Sequence, residues 1–317
     1  MTSIDTPPRP APHRSPGAPA TRTGWRLAPR IGLALAAAAM VTAGILAPAA
    51  ILLVAIACLG AVTAIVAIGR YGWRPAVLFY LTSFVISTVF ENLSITTGFP
   101  LGHYHYPGNG LRIWHFPILV GLIYGLLGMI VWLTTSTLLD GADLRLADRH
   151  DHARPINVIA VPALAAALMT MYDLGSDSAI STINGTWVWE NGGGVFGVPW
   201  TNYLGWWLVC YLIFQPFALL LARRTRPLPV RVGGREPLAI GVIGYFLLGA
   251  ASLAGFVTAA PGTTTDLGGQ AWSLHALHET LFTINLFGTI VIAALAAIKL
   301  ARNDLAAQPR DIVDNHE

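Results

Sequence analysis

The sequence predicts an all-α, polytopic membrane protein: one helix bundle with about eight transmembrane helices. Three observations carry that expectation. Hydrophobic residues make up 54% of the 317 residues and Asp, Glu, Lys and Arg only 11%, whereas about 25% of an ordinary soluble domain is charged. Uncharged runs recur at the length of about 20 residues that a hydrocarbon core of ~30 Å demands. The basic residues are also shared unequally between the segments that separate those runs. So little charge is a poor match for a water-soluble enzyme, an intrinsically disordered protein or a coiled coil. The net charge of +3 is too small and too scattered to mark a nucleic-acid partner. Cys58 and Cys210 both lie inside apolar runs and read as small hydrophobes rather than a disulfide.

Residues 1–30, rich in Pro, Arg and Ser, have no apolar periodicity and read as a disordered basic segment. Residues 31–300 form the transmembrane domain, and residues 301–317 a polar tail. The uncharged stretch from Ile31 to Gly69 is too long for one crossing, and Pro48 divides it into spans at about 31–47 and 50–69. Further spans are expected at about 75–93, 117–139, 156–175, 201–222, 237–259 and 277–299. With the N-terminus inside, 18 of the 19 Lys and Arg residues fall on the inner side and only Arg112 outside, the asymmetry of the positive-inside rule. The expected location is the cell membrane, with both termini cytoplasmic. The basic start reads as a retained anchor, because a second apolar run follows at once without a polar cleavage site. Gly125, Gly128, Gly241, Gly244 and Gly249 are expected to let helices approach closely.

On this topology, the polar residues that hydropathy does not explain collect at the outer helix ends and in two outer loops. Glu91 and Asn92 end the third span, and a loop from Thr97 to Tyr106 follows, carrying His103, Tyr104, His105 and Tyr106. Asp173 and Asp177 lie four residues apart at the end of the fifth span, so their carboxyls share a helix face while the helix persists. The next loop holds Trp187, Trp189 and Gly192-Gly193-Gly194, and Asn202 and Trp206 open the sixth span. His275, His278 and Glu279 share a face at the start of the eighth. Trp114, Trp200 and Trp207 read as an interfacial belt. The glycine triplet follows no strand and reads as a flexible turn rather than a phosphate loop.

Two ordered motifs resemble the membrane-bound carotenoid biosynthesis family that includes bacterial and archaeal carotenoid 1,2-hydratases, the bisanhydrobacterioruberin hydratase type among them. In the first, an acid precedes T-G-x-P-x-G-x-Y-x-Y, matched by Glu91, Thr97, Gly98, Pro100, Gly102, Tyr104 and Tyr106. In the second, D-x-x-x-D leads to G-x-W-x-W and G-V-P-x-x-N-[FY]-x-G-W. Here Asp173, Asp177, Gly185, Trp187, Trp189, Gly197, Val198, Pro199, Asn202, Tyr203, Gly205 and Trp206 stand in those places. The resemblance implies addition of water to the C1=C2 bond of an acyclic, lycopene-type carotenoid end. It also implies a lipophilic carotenoid as partner within membrane lipid, and other carotenoid-forming enzymes as neighbours.

That chemistry suits these residue types. An unactivated trisubstituted alkene must first be protonated, and a carboxylic acid in a low-dielectric pocket beside a second carboxylate keeps its proton near neutral pH. Asp173 and Asp177 are the expected donor pair. Glu91 or Glu279 is expected to orient water, with His275 and His278 beside it. Tyr104, Tyr106, Trp187, Trp189, Asn202, Trp206, His275 and His278 are the expected substrate contacts, the aromatic faces stabilising a carbocation without trapping it. No cofactor is implied. The alternatives are a metal-dependent carotenoid oxygenase, in which His275, His278 and Glu279 join the acids as ligands, and a non-catalytic carotenoid or lipid carrier or transporter. Transport is disfavoured because the inner half of the bundle reads as poor in polar groups.

Overall fold

A computed structural model of the chain describes residues 29–32, 34–35, 49–224 and 235–302. Seven helical segments among them are long and apolar enough to cross a membrane. They begin with α1 (Ala49–Tyr71) and α2 (Trp73–Thr97), which leads into a loop bearing β1 (Tyr104–His105), β2 (Arg112–Ile113) and β3 (Phe116–Pro117). There follow α3 (Ile118–Leu138), the short α4 (Ala142–Arg145) and α5 (Arg154–Leu174), which a π-helical turn at Ala179–Ile183 prolongs. After β4 (Val188–Trp189) come α6 (Trp200–Ala222), α7 (Glu236–Thr258) and a hairpin of β5 (Thr263–Thr265) and β6 (Ala271–Ser273). The last segment joins α8 (Leu274–Asn285), a π-helical turn at Leu286–Ile290, and α9 (Val291–Ala301). These spans match seven of the eight expected runs to within a few residues. Most of the run at 31–47, together with Pro48 and nearly all of the two terminal segments, lies outside the described residues.

Successive antiparallel spans place every short strand pair at one end of the bundle, the loop end. Tyr104 faces Trp189 across the β1–β4 pair, which thereby ties together the two loops singled out from the sequence. At the opposite end gather Arg30, Arg70, Arg74, Arg145, Arg149, Arg154, Arg223, Arg224, Arg235, Lys299 and Arg302, leaving Arg112 alone at the loop end among the described Lys and Arg. Arg112 donates to the Tyr106 carbonyl at 2.8 Å and so braces the site loop.

The bundle is wrapped around α3. Its Trp132 packs with Phe214 and Phe217 of α6, and Phe217 in turn meets Tyr71 and Phe79. Gly241 of α7 allows a close approach to α3. A Cβ there would lie 2.4 Å from Leu133 Cβ and 3.2 Å from the Ile130 carbonyl.

The basic end is more polar inside than its sequence suggests. Arg70 and Asp143, both fully buried, form a two-pronged ion pair with bonds of 2.5 and 3.0 Å, and Tyr71 donates to the same carboxylate at 2.6 Å. Trp132 Nε1 donates to the Tyr71 hydroxyl at 3.2 Å. A charge taken out of water this completely is tolerated only when its partner and hydrogen bonds are in place. Thr134, Ser136 and Thr137 return their hydroxyls to carbonyls four residues back. These groups therefore read as a staple binding α1, α3 and α4. The expectation of a polar-poor inner half is corrected, because α4, unrecognised in the sequence, carries Asp143 into the bundle.

Three substitutions test these contacts. Asp143→Ala strands the Arg70 guanidinium and is expected to cost about 3–5 kcal/mol, read as loss of folded yield and a lower melting temperature in detergent. Tyr71→Phe should cost about 1 kcal/mol by the same measurement. Gly241→Ala is expected to destabilise by about 1–3 kcal/mol through overpacking against Leu133, with an unchanged melting temperature as the contrary result.

Candidate active site

Three carboxyl groups, Glu91, Asp173 and Asp177, are buried together just inside the loop end, with 3%, 4% and 1% of their surfaces exposed. Glu91 comes from the last turns of α2, which stops where Gly98 takes the left-handed conformation (φ 81°) and returns its N–H to Ser94 O at 2.8 Å. The loop that this turn starts brings Tyr104 back over the helix end. Its hydroxyl donates to Glu91 Oε2, while Tyr124, from α3, donates to Oε1 at 2.6 Å. Asn92, the next residue, donates to Thr88 O at 2.7 Å and accepts the His115 N–H at 2.9 Å, anchoring the far end of the loop.

The aspartates are held differently. Regular α5 ends at Leu174, the chain turns at Gly175-Ser176, and helical geometry resumes at Asp177 before the π-helical turn. The freed Gly175 carbonyl accepts from Asn285 Nδ2 of α8 at 2.7 Å, so the interruption is satisfied by a neighbouring helix. Asn202, in the first turn of α6, places its amide nitrogen 2.9 Å from Asp173 Oδ2 and 2.7 Å from Asp177 Oδ2. One carboxamide thus donates to both acids. Trp187 Nε1 donates to Asp177 Oδ1 at 2.9 Å.

An aromatic wall closes around this centre. Tyr124 stacks on Trp206 with ring centroids 4.7 Å apart and planes 15° from parallel. Tyr104 packs on Trp189 at 4.8 Å and on Tyr106 at 5.7 Å, and Tyr106 meets Trp187 at 6.1 Å. Burial, and then the nearby Glu91 carboxyl, hold the Tyr106 phenol well above its ordinary range, so it is a neutral donor at any physiological pH. Two buried donors in the wall, Trp189 Nε1 near Asp177 and the Tyr203 hydroxyl near Ser178, make no hydrogen bond of ordinary geometry. Such orphans are rare in folded proteins and commonly await a ligand or water.

The glycine triplet is not a slack turn. A Cβ on Gly193 would stand 2.2 Å from the backbone of Val198 and Pro199, and Gly192 has φ 61°. Close backbone contact here folds the loop back towards Pro199, from which α6 and Asn202 start.

Of the twelve residues singled out from sequence, nine gather at this centre and three do not. Glu91, Asp173, Asp177, Tyr104, Tyr106, Trp187, Trp189, Asn202 and Trp206 surround it. Glu279 does not, and His275 and His278 do not join it either. On α8 the inward face is Leu277, Leu281 and Asn285, spaced by four, whereas His275 and Glu279 are exposed on the opposite side. His275 stacks on Phe256 of α7 at 5.8 Å, and His278 packs against Gly255. The expectation that these three share a face holds, but that face is turned away from the acids. Among the described residues no three His, Cys, Asp or Glu side chains converge as metal ligands. The metal set imagined from His275, His278, Glu279 and the acids is therefore not assembled here.

His103 and His105 are exposed, and His105 pairs with Glu190 at 2.5 Å on the outer surface. Trp114, Trp200 and Trp207 are exposed, as interfacial residues are. Cys58 and Cys210 are unpaired. Tyr124 and Asn285 escaped the sequence reading, and Tyr203 entered it only as a position of the second motif, without a role. The signal for Tyr124 was a lone phenol in an otherwise apolar run, which by itself is indistinguishable from a belt residue.

Comparison with known proteins bears on the same stretch. A family model described as carotenoid biosynthesis protein matches residues 47–268, more than two thirds of the chain. The match covers all three buried acids, Asn202 and the aromatic wall, and stops short of His275, His278 and Glu279. No curated protein and no solved structure matches the chain. A multi-pass helical membrane protein whose shared segment contains this carboxyl centre, the chain belongs to the carotenoid biosynthesis protein family.

Proposed function

We propose that the protein is a carotenoid 1,2-hydratase, adding water to the C1=C2 double bond of an acyclic, lycopene-type end. The observation that carries this reading is the burial of three carboxyl groups under one aromatic wall at the end of a membrane bundle. Ionisable groups at such depth are expensive and are kept for function. The polyene lies among the helices in lipid, with its end against Trp206, Tyr124, Tyr104 and Trp187. On this reading the loop end is extracytoplasmic, as the distribution of Lys and Arg supports.

Asp173 is the proton donor. It accepts one hydrogen bond, whereas Asp177 accepts two and Glu91 two, and each donated bond favours the charged form of its acceptor. The proton shared by the centre therefore rests most cheaply on Asp173. Its O–H bond breaks as a C–H bond forms at C2, leaving a tertiary cation at C1. Facing aromatic rings lower the energy of that cation by about 2 kcal/mol or more once water is excluded, a factor of about 30 in rate. Water bonds to C1 and gives its proton to Asp177 or Glu91, from which the donor is reprotonated. The sum is addition of one water, with no oxidant or reductant. Glu279, exposed on α8, is not assigned a role, and His275 and His278 are likewise left outside the chemistry.

The test is expression in a lycopene-producing host with pigment analysis by mass. A gain of about 18 mass units is the result expected of hydration, and about 16 would instead indicate oxygenation. An unchanged pigment profile, there and in a host making monocyclic carotenes, would overturn the proposal. Asp173→Asn, which keeps the shape and removes the acid, should lower product by about 10²–10⁴-fold with membrane insertion intact. Glu279→Gln should leave product within about twofold, in the ordinary range of a surface change.

A further inference from the structure

Outside the acid centre, on the loop side, lies a cavity of about 240 Å³ between the π-helical turn after α5 and the β5–β6 hairpin. Ser181, Thr182, Asn184, Thr265 and Asp266 line it, and Trp189 forms its inner wall. These walls suit water rather than a polyene, and the space admits several molecules at ~30 Å³ each. Only a thin layer separates it from the acids. Ser181, in the lining, donates to the Asp177 carbonyl at 2.9 Å. The Trp189 ring packs on Tyr104, which donates to Glu91, and its buried Nε1–H lies near Asp177 without a hydrogen bond of ordinary geometry. π-Turns of this kind recur at functional sites.

Resting on the hydratase reading, one constraint then bears on this cavity. Each turnover consumes a water molecule while the polyene end occupies the aromatic hollow from the lipid side, so water needs a separate entrance. We propose that this cavity is the water vestibule of the site, and that Trp189 is the positioning residue at its inner door. The Trp189 N–H accompanies a water molecule from the Ser181–Thr182 side toward Asp177. When that water arrives late, the C1 cation loses a proton to a carboxylate and returns to an alkene. In D₂O the donor carries deuterium, so this abortive path leaves deuterium in recovered carotenoid without adding water.

The experiment uses the full chain in lipid nanodiscs, lycopene as probe and D₂O as solvent, and reads the ratio of deuterium-exchanged lycopene to hydrated product. Trp189→Phe keeps a ring and removes the N–H, and the ratio is expected to rise several-fold. A merely structural defect lowers exchange and hydration in step, and that result would overturn the assignment of Trp189. Thr182→Cys gives an independent reading within one folded preparation. A bulky, charged thiosulfonate should label it and raise the ratio several-fold over the unlabelled sample, while a methyl reagent changes it less. Complete labelling with an unchanged ratio, or no labelling at all, overturns the vestibule alone. Absence of both exchange and hydration in the unaltered chain overturns the hydratase reading and this inference with it.

Discussion

The carboxamide of Asn202 donates to two buried aspartates at once, and much of the loop end is arranged so that it can. Two carboxyl groups four residues apart repel one another when both are charged, and burial sharpens that repulsion. Asn202 offers each of them one N–H, and it has no spare donor to offer elsewhere. It can do so only because α6 begins where it does. The Gly193 contact with Val198 and Pro199 sets that start, and α5 and α6 share the most extensive helix interface of the bundle. A small shift of α6 would leave two acids buried without their shared partner.

Helix interruptions supply the rest. Gly98 ends α2 so that its loop folds back and Tyr104 caps Glu91. Gly175 interrupts α5 so that Asp177 can turn toward Asn202 and Trp187, while Asn285 satisfies the carbonyl thus released. In water such breaks would be solvated. In a bilayer, freed backbone groups must find protein partners, and the loop end shows them doing so. The opposite end meets the same requirement with charge. Arg70 and Asp143 neutralise one another, and Lys299 bonds Asp140 and the Leu138 carbonyl. One end is thus stapled and the other is organised around acids, a division of labour suited to chemistry at one membrane face.

How far the site could be read in advance differs from residue to residue, for physical reasons. Asp173 and Asp177 were legible because a four-residue spacing fixes their relation within a single helix. Glu91, Tyr104 and the Trp187/Trp189 pair were legible through the ordered motifs that contain them. His275, His278 and Glu279 obey the same helical spacing, yet the phase of α8 is set by Leu277, Leu281 and Asn285 packing inward, a fact about neighbours rather than about α8. Tyr124 shows the converse. Nothing near it in the chain is polar, and its importance comes from lying opposite Glu91 and Trp206, which are distant in sequence.

By itself the amino-acid sequence determined the helical class, seven of the described spans to within a few residues, and the sorting of basic residues to one end. It did so because length, hydropathy and charge act locally and the bilayer filters for them. Only the tertiary structure decided which polar residues meet. Glu91 joins the aspartates while Glu279 looks outward, Asp143 enters the bundle to meet Arg70, and Asn202 bridges two acids. Those outcomes depend on the rotation of each helix about its own axis and on where each loop returns. Both are fixed by packing against partners far away in the chain, which no local pattern encodes.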